Sequence, residues 1–333
     1  MEKRRKTKAI VLFSGGLDSM LATKLLMEQG IEVVPIFFIT NFCEPSLARQ
    51  SAKQIGVSLR EENISKEFIS VLKKPKYGYG AGMNPCIDCH ALMLKKAGEI
   101  MKKEKFNLVA TGEVLGERPM SQNKKSLQIV EKEAGLEGYL LRPLSAKLLK
   151  PTIPELDGRV SREKLLDISG RSRQKQMVLA EKFGIKKYPT PAGGCALTQS
   201  GFAERLRELA VYKPNYDVYD LDLIKIGRHF WIDIKTLRLV PLRGSRSGNN
   251  PLLLPEQASH TKNGASASKA FVHIILGRNK EENEILETLA KKDSTIVRPE
   301  KIKAPTALIK KRRVSSAVFQ KTKELIDKFS SGV

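Results

Sequence analysis

The chain has 333 residues, 41% hydrophobic and 29% charged, enough for two or three globular domains with cores of their own. No apolar run approaches the length of a membrane span, and basic Met1–Lys8 leads straight into a strand pattern, not a secretory signal core, so a cytoplasmic address is expected. The net charge of +23 is shared between both halves and points to a polyanionic partner, nucleic acid first, although a lysine-rich surface would give the same number; aromatics at 6% argue against a base-stacking single-strand binder.

Ala9–Phe13 is a short apolar run of the kind buried on both faces of a sheet. Ser14-Gly15-Gly16-Leu17-Asp18-Ser19 breaks it, and Met20–Glu28 continues at helical spacing. A strand, a glycine turn and a helix N-terminus gather backbone N–H groups and positive potential at one point, which suits a phosphate. Two glycines admit close approach, Ser14 and Ser19 add hydroxyls, and Asp18 is expected to hold Mg²⁺ or orient the loop. Ile31–Phe38 reads as a second buried strand, Leu47–Ile55 as a helix, Val57–Glu62 as a third strand and Lys66–Leu72 as a further helix. This alternation predicts a doubly wound, mostly parallel α/β sheet, with ligands at the carboxyl ends of its strands.

Tyr77–Pro85 is a glycine-rich loop, Ile87–Glu104 a long helix, Asn107–Thr111 a strand entering Gly112–Gln122, and Tyr139–Leu144 a last strand or extended exit. Residues 155–187 are basic and helix-prone, with Arg171, Arg173 and Lys175 suited equally to an RNA phosphate track or a solvated face. From about Leu221 the texture changes. Ile224–Ile232 and Ala270–Leu276 read as strands, Gly277–Leu289 as a turn and helix, Arg243–Lys269 as a flexible insertion, and an amphipathic helix closes the chain. The expected division is a nucleotide-binding domain at 1–150, a basic extension at 151–205 that completes the site, and a smaller basic C-terminal α+β domain at 206–333.

Cys86 and Cys89 form a C-x-x-C at a helix head, and Cys195 lies far along the chain in a Gly-Gly-Cys loop. Structural disulfides are not expected in the cytoplasm. A thioredoxin-type pair lacks its usual context after the first strand, and zinc lacks a well-placed fourth ligand, His90 facing elsewhere on the helix. Three thiolates without a fourth suit a [4Fe–4S] cluster with one open iron. A metal-free alternative puts a persulfide on Cys89, its pKa lowered by the helix N-terminus, with Cys195 releasing the sulfur as a disulfide. Three inert buried thiols would show the same residues. Cys43 has no partner spacing and reads as a bystander.

The string Ala9–Ser19 resembles the pyrophosphate-binding loop of the PP-loop ATP pyrophosphatases, and no Gly-Lys-Ser/Thr follows to make it a Walker loop. With Asn84–Cys89 and Cys195 it resembles the PP-loop tRNA thiolation enzymes. Asn84–Cys89 is similar to the cysteine motif of the 2-thiouridine thiolases, and Thr111–Gln122 with Leu141–Leu144 to the catalytic domain of the 4-thiouridine sulfurtransferases. The resemblance covers roughly residues 8–200. It implies a fold of the adenine-nucleotide alpha-hydrolase kind and ATP bound with Mg²⁺, its phosphates on Ser14, Gly15, Gly16, Asp18 and Ser19 and its adenine near Phe37 and Phe38. It implies that Gly112, Arg118 and Gln122 meet ATP or the target base. Cys89 matches the catalytic cysteine, Cys195 its distant partner, and Cys86 a position that is Cys in cluster-bearing members.

The implied reaction adenylates a tRNA uridine and replaces its carbonyl oxygen with sulfur from sulfide or a cysteine-desulfurase relay. A homodimer would let the C-terminal domain of one subunit present tRNA to the other. Val272–Glu284 weakly resembles the RNA-binding domain of the NFACT proteins. Two departures stand out: only about eight residues precede the first strand, and no rhodanese-like tail follows. Competing classes are a PP-loop adenylating ligase or amidotransferase acting on a small molecule, which leaves the thiols and charge unexplained, and a non-catalytic RNA-binding protein, against which the intact loop weighs.

Overall fold

The computed structural model describes residues 6–189, 195–240, 271–299 and 304–330. The chain divides into two compact units, Met1–Thr198 and Gln199–Val333. The segment expected as a separate extension, 151–205, is split by that boundary, and its residues up to Thr198 are part of the first unit.

In the first unit β1 (Lys8–Leu12), α1 (Leu17–Met27), β2 (Glu32–Ile39), α2 (Ser46–Ile55), β3 (Arg60–Asn63), α3 (Ser65–Lys73), α4 (Cys86–Glu104), β4 (Leu108–Thr111), α5 (Lys124–Glu133), β5 (Leu140–Leu141), α6 (Ile153–Leu156) and α7 (Gln174–Lys182) follow one another. The sheet order is β3-β2-β1-β4-β5 and every pairing is parallel. The chain thus runs outward from β1 through β3, then crosses back to place β4 on the other side of β1. That reversal opens a crevice between the carboxyl ends of β1 and β4, where doubly wound sheets bind ligands.

Both faces of β1 are buried, as its unbroken apolar run requires. Ala9 and Val11 pack with Leu26, Leu108, Leu141 and Leu165 on one face, and Ile10 with Leu94, Ala97, Met101 and Val109 on the other. Each such side chain removed from water stabilises by about 1.5–3 kcal/mol. The segment expected as a strand over Tyr139–Leu144 pairs only at Leu140 and Leu141, because Ser145 N–H then turns back onto the Arg142 carbonyl at 3.0 Å. Helix α5, which the sequence reading passed over, is capped by Asn123, whose side chain accepts Ser126 N–H at 2.9 Å.

The second unit contains α8 (Ser200–Tyr212), α9 (Val218–Leu223), β6 (Arg228–Asp233), β7 (Phe271–Leu276), α10 (Lys280–Leu289), β8 (Thr295–Val297), β9 (Ala307–Ile309) and α11 (Ser316–Ser330). Its sheet is antiparallel in the order β6-β7-β9-β8. One face packs on Val318, Leu325 and Ile326 of α11, the other on Tyr219, Leu223 and Leu286 of α9 and α10. The strand expected from Ile224 begins only at Arg228. Gly227 (φ +78°) makes the turn before it, and a Cβ there would lie 2.5 Å from the Leu276 carbonyl oxygen. The insertion expected at Arg243–Lys269 lies outside the described residues, as do Gly193 and Gly194. Among the described residues no helix is long and apolar enough to cross a membrane.

Candidate active site at the carboxyl edge of the parallel sheet

The loop after β1 is held from three sides. Gly15 has φ +79°, and a Cβ on it would stand 2.7 Å from Ala48 Cα, so only glycine lets the loop rest on the first turns of α2. Ser51 of α2 donates its hydroxyl to the Gly15 carbonyl at 2.8 Å. Across the crevice a Cβ on Gly112, just beyond β4, would lie 2.5 Å from Asp18 C and Ser19 N. Gly16 caps α1 in an extended conformation without a side-chain hydrogen bond, so the helix presents its first amides and its positive end to the crevice. Ser19 Oγ donates to the Gly16 carbonyl at 2.8 Å, and Ser14 Oγ accepts Gly16 N–H at 3.3 Å. The expected phosphate-loop residues Ser14, Gly15, Gly16, Asp18 and Ser19 are therefore one structural unit.

Around Asp18 the polar groups are left unfinished. Buried atoms without a hydrogen-bond partner include Asp18 Oδ1, Gln122 Oε1, Arg173 Nε and both amide atoms of Gln176. The Gln176 amide leans on the Asp18 carboxylate without closing a hydrogen bond of ordinary geometry. Burial raises the Asp18 pKa against the opposing pull of Arg173, Gln176 and Arg118. Glu117 is raised by burial and then by the Asp18 charge. Each buried polar atom left unpaired costs about 1–3 kcal/mol, so a cluster of them fits a polar ligand that completes the bonds.

Arg173 and Gln176 were not singled out as nucleotide contacts. They reach Asp18 because α7 packs on α1 and because Gly170 N–H donates to the Leu115 carbonyl at 2.8 Å, tying the segment before α7 to the Gly112–Gln122 loop. Their i, i+3 spacing puts them on one helix face and was the available signal. Arg118, although exposed, lies near enough to act on Asp18, and the backbone N–H of Gln122 donates to its carbonyl at 2.9 Å. Phe38 does not join this site. Its ring is buried in the core with Ile10, Ile36, Ile64 and Leu94, and Phe37 is likewise buried beside Phe13 and Leu17, so neither ring stands free to meet an adenine.

The thiols form a second focus on the same edge. Cys86 and Cys89 occupy the first turn of α4, and Asn84 donates its amide to Cys86 Sγ at 3.1 Å. The glycine-rich loop is fastened to the segment of Cys195: Met83 N–H donates to the Leu197 carbonyl at 3.1 Å, and a Cβ on Gly82 would stand 2.2 Å from that oxygen. The Cys195 carbonyl in turn accepts Thr198 N–H at 3.0 Å and Oγ1–H at 2.7 Å.

Two expectations about the thiols are corrected. Cys43 is not isolated: it closes a small hairpin with Thr40 after β2. The neighbouring Cys195 thiol, opposed by burial and aided by Thr40, brings Cys43 down to about 7. The Cys43 thiol, then burial, pushes Cys195 up. Cys89 is also pushed up, first by burial and then by the charges of Cys43, Cys86 and Asp88. Desolvation outweighs the helix N-terminus expected to lower it. All four cysteines are free thiols, each partly accessible.

Beside the thiols a third group is fully paired. Burial would raise Glu113, but the charges of Arg142 and His90 and their hydrogen bonds hold it at about 2. His90 Nδ1 is 2.9 Å from Glu113 Oε1, Arg142 Nε donates to Oε2 at 3.0 Å, and Thr111 Oγ1 donates to Oε2 at 3.1 Å. Arg142 also reaches Glu131 and the Leu127 carbonyl, each at 3.1 Å. His90, the neighbour of Cys89, is thereby fixed to the loop after β4.

The two metal groups implied above differ in fit. For Mg²⁺, which takes one or two carboxylates and completes its shell with phosphate and water, the unpartnered Asp18 Oδ1 and nearby Glu117 are suitable. For the [4Fe–4S] cluster, Cys86, Cys89 and Cys195 do not present a ligand set as arranged. Among the described residues no group of three or more His, Cys, Asp or Glu side chains is disposed to hold a metal ion.

A glycine loop is thus clamped at the switch point of a 3-2-1-4-5 parallel sheet, with acidic, basic and thiol groups along one edge. Residues 5–157 match the family described as thiamine biosynthesis protein (ThiI), and the chain is similar to tRNA thiolation enzymes. It is 31% identical over 116 residues to a probable tRNA sulfurtransferase of Methanosarcina mazei, covering 33% of this chain and 29% of that one. It is 24% identical over 249 residues to the tRNA-specific 2-thiouridylase MnmA of Pseudomonas entomophila, covering 70% and 63%. A crystal structure of a 4-thiouridine synthetase–RNA complex with bound ATP superposes with a TM-score of 0.38 at 18% identity, over 65% of this chain and 52% of that one. The chain thus spans less than two thirds of the length of these curated relatives.

Proposed function

We propose that the chain is an ATP-dependent tRNA sulfurtransferase. The observation that carries this reading is the meeting, on one sheet edge, of an incompletely bonded phosphate loop and four thiols. The names of the relatives and the net charge of +23 support tRNA as the substrate. ATP lies with its phosphates against Ser14–Ser19, where the α1 amides, Arg173 and Arg118 face the charge that develops on them. Mg²⁺ on Asp18 and Glu117 would neutralise phosphate charge and favour pyrophosphate as a leaving group. Gln176 and Gln122 complete their hydrogen bonds on the nucleotide.

The carbonyl oxygen of an unpaired or flipped uridine attacks the α-phosphate and releases pyrophosphate. The adenylated carbon then loses AMP either to free sulfide attacking it directly or to the outer sulfur of a cysteine persulfide delivered by a cysteine-desulfurase relay, which a second thiol then frees by forming a disulfide. No step is routed through a cluster. The second unit, basic like the first, is assigned to RNA binding, and the whole acts where tRNA is modified, in the cytoplasm. Mass spectrometry of tRNA nucleosides from cells lacking the gene tests the reading. Loss of one thiolated uridine is expected; an unchanged set of thiolated nucleosides overturns it. A small-molecule adenylating ligase would leave that set unchanged and turn over ATP without RNA.

A further inference from the structure

The second unit spreads its charge unevenly over the two ends of its sheet. Where β6 begins and β7 ends, surface cations are paired. Lys225 meets Asp222 at 3.0 Å, Arg298 meets Glu287 at 2.9 Å, and Arg278 meets Glu282. Arg228, at the same end, lies over the Phe329 ring at 5.0 Å.

The other end is built differently. Asp233, the last residue of β6, stands opposite Phe271, the first of β7, and Ile309 is opposite both Ile274 of β7 and Thr295 of β8. The register therefore gathers three segments: the turn after β6, the turn before β8 and the stretch after β9. Thr295 Oγ1 ties two of them, donating to the Lys311 and Arg312 carbonyls at 2.8 and 3.2 Å. These segments carry Lys235 and Arg238, Lys291 and Lys292, and the run Lys311–Arg313, all exposed and, among the described residues, without an ion-pair partner. Nearby carboxylates are largely occupied. Asp220 is buried and shared by Lys213, at 2.6 Å, and Lys310. Asp233 accepts the backbone N–H groups of Lys235 and Thr236 at 2.8 and 3.2 Å. Lys291 and Lys310 both stand over the Tyr219 ring, at 3.9 and 4.4 Å from its centre, so turn and sheet end share one anchor.

We propose that this end of the sheet is a phosphate track that seats a base-paired segment of RNA without reading its sequence. The choice of RNA rests on the tRNA reading above; the track itself is carried by the unpaired cations. Four strands lie side by side across this end, about 14 Å from β6 to β8, so cations from three loops meet several successive phosphates. Base recognition on a single strand needs aromatic faces on which bases stack. Here the rings pack on one another: Trp231 is buried and stacked on His273 at 4.1 Å, and Tyr212 packs on Trp231 and Phe271 at 5.2 and 4.8 Å. Phosphate contacts without base contacts position a duplex and carry no sequence information. An anionic membrane fits less well, because Leu237 and Leu239, the large apolar side chains beside these cations, are each only 37% exposed and form no amphipathic helix.

The test uses the full-length protein without ATP or sulfur donor and reads fluorescence anisotropy as salt is raised. The probes are an RNA hairpin, a second hairpin of shuffled sequence, and an unpaired strand of equal length. The parent is expected to bind the two hairpins within about twofold of each other and the unpaired strand more weakly. Replacing four exposed cations together (Lys291→Ala, Lys311→Ala, Arg312→Ala, Arg313→Ala) is expected to cost at least about tenfold in hairpin affinity. It is also expected to lower the slope of log affinity against log salt by about 3–4, at the parent's melting temperature. The control Lys225→Ala with Arg298→Ala, at the opposite end, is expected to stay within about twofold of the parent. Parent-like affinity and slope in the fourfold variant, an equal loss in the control, or a preference for the unpaired strand overturns the proposal. So does a fourfold variant that keeps the hairpin and loses only phosphatidylserine vesicles. Thiouridine formation is judged apart. Loss of the salt slope in the variant, with thiolated nucleosides unchanged in cells lacking the gene, defeats the sulfurtransferase reading and leaves the track. Loss of a thiouridine in those cells, with parent-like binding by the variant, defeats the track alone.

Discussion

Two buried polar clusters lie near the carboxyl edge of the same sheet, and they are built on opposite terms. Around Glu113 the partners are all present: His90, Arg142 and Thr111 hold its oxygens, and Arg142 is itself shared with Glu131 and Leu127. Around Asp18, buried oxygen and nitrogen atoms of Asp18, Gln122, Arg173 and Gln176 are left without partners. Burial alone therefore does not mark function. The completed cluster ties β4, α4 and the exit strand together; the other leaves its buried polar atoms unpaired within the protein.

The sharpest way to break this comparison is to unpair the finished cluster. Arg142→Met leaves Glu113 buried without its main counter-charge and is expected to destabilise the first unit by about 3–5 kcal/mol, read from urea unfolding. A loss under 1 kcal/mol would mean that the cluster is not structural. Next in size is Gly112→Val, whose side chain must push the Asp18–Ser19 backbone away from 2.5 Å contact. It is expected to cut ATP-dependent pyrophosphate release about 100-fold and, because backbone must give way, to lower the unfolding free energy from urea titration by about 1–3 kcal/mol.

Smaller still, Gln176→Met removes two unpaired buried atoms and is expected to stabilise the nucleotide-free protein by about 1 kcal/mol. The same change should shrink the rise in melting temperature on adding ATP. If it instead destabilises the free protein, the cluster is complete without ligand. The smallest effect is the pH response. Glu113, held at about 2 when folded, contributes stability that is present above its unfolded value and lost as pH falls through that window. Asp18, raised when folded, works in the opposite sense, its burial cost being relieved on acidification. The acid limbs of Glu113→Gln and Asp18→Asn unfolding profiles should therefore shift from the parent in opposite directions.

How much of this was legible in the sequence depended on distance along the chain. The loop after β1 was readable because strand, turn and helix are adjacent, and the parallel sheet because β1, β2 and β4 carry short apolar runs. Arg173 and Gln176 were hidden in a basic stretch where nothing local tells which cations face inward. Cys43 was set apart because Cys195, the thiol that shifts its pKa, is distant in sequence. Cys89 was misjudged because a helix N-terminus can be seen in a sequence, whereas the desolvation that outweighs it cannot. Phe38 looked like a ligand contact by its place at a strand end, yet both faces of β2 are covered there, so its ring lies in the core as Phe37 does. The three-residue strands β8 and β9 carry too few side chains to show a period.

The contact between Gly82 and the Leu197 carbonyl has a consequence for how this chain can change. Any side chain at position 82 would collide with that oxygen, so the glycine-rich loop and the stretch that carries Cys195 fit only as a matched pair. They form one heritable cassette split between two places in the gene. Grafting either half onto another parallel-sheet scaffold without its counterpart would deliver cysteines with nothing to aim them.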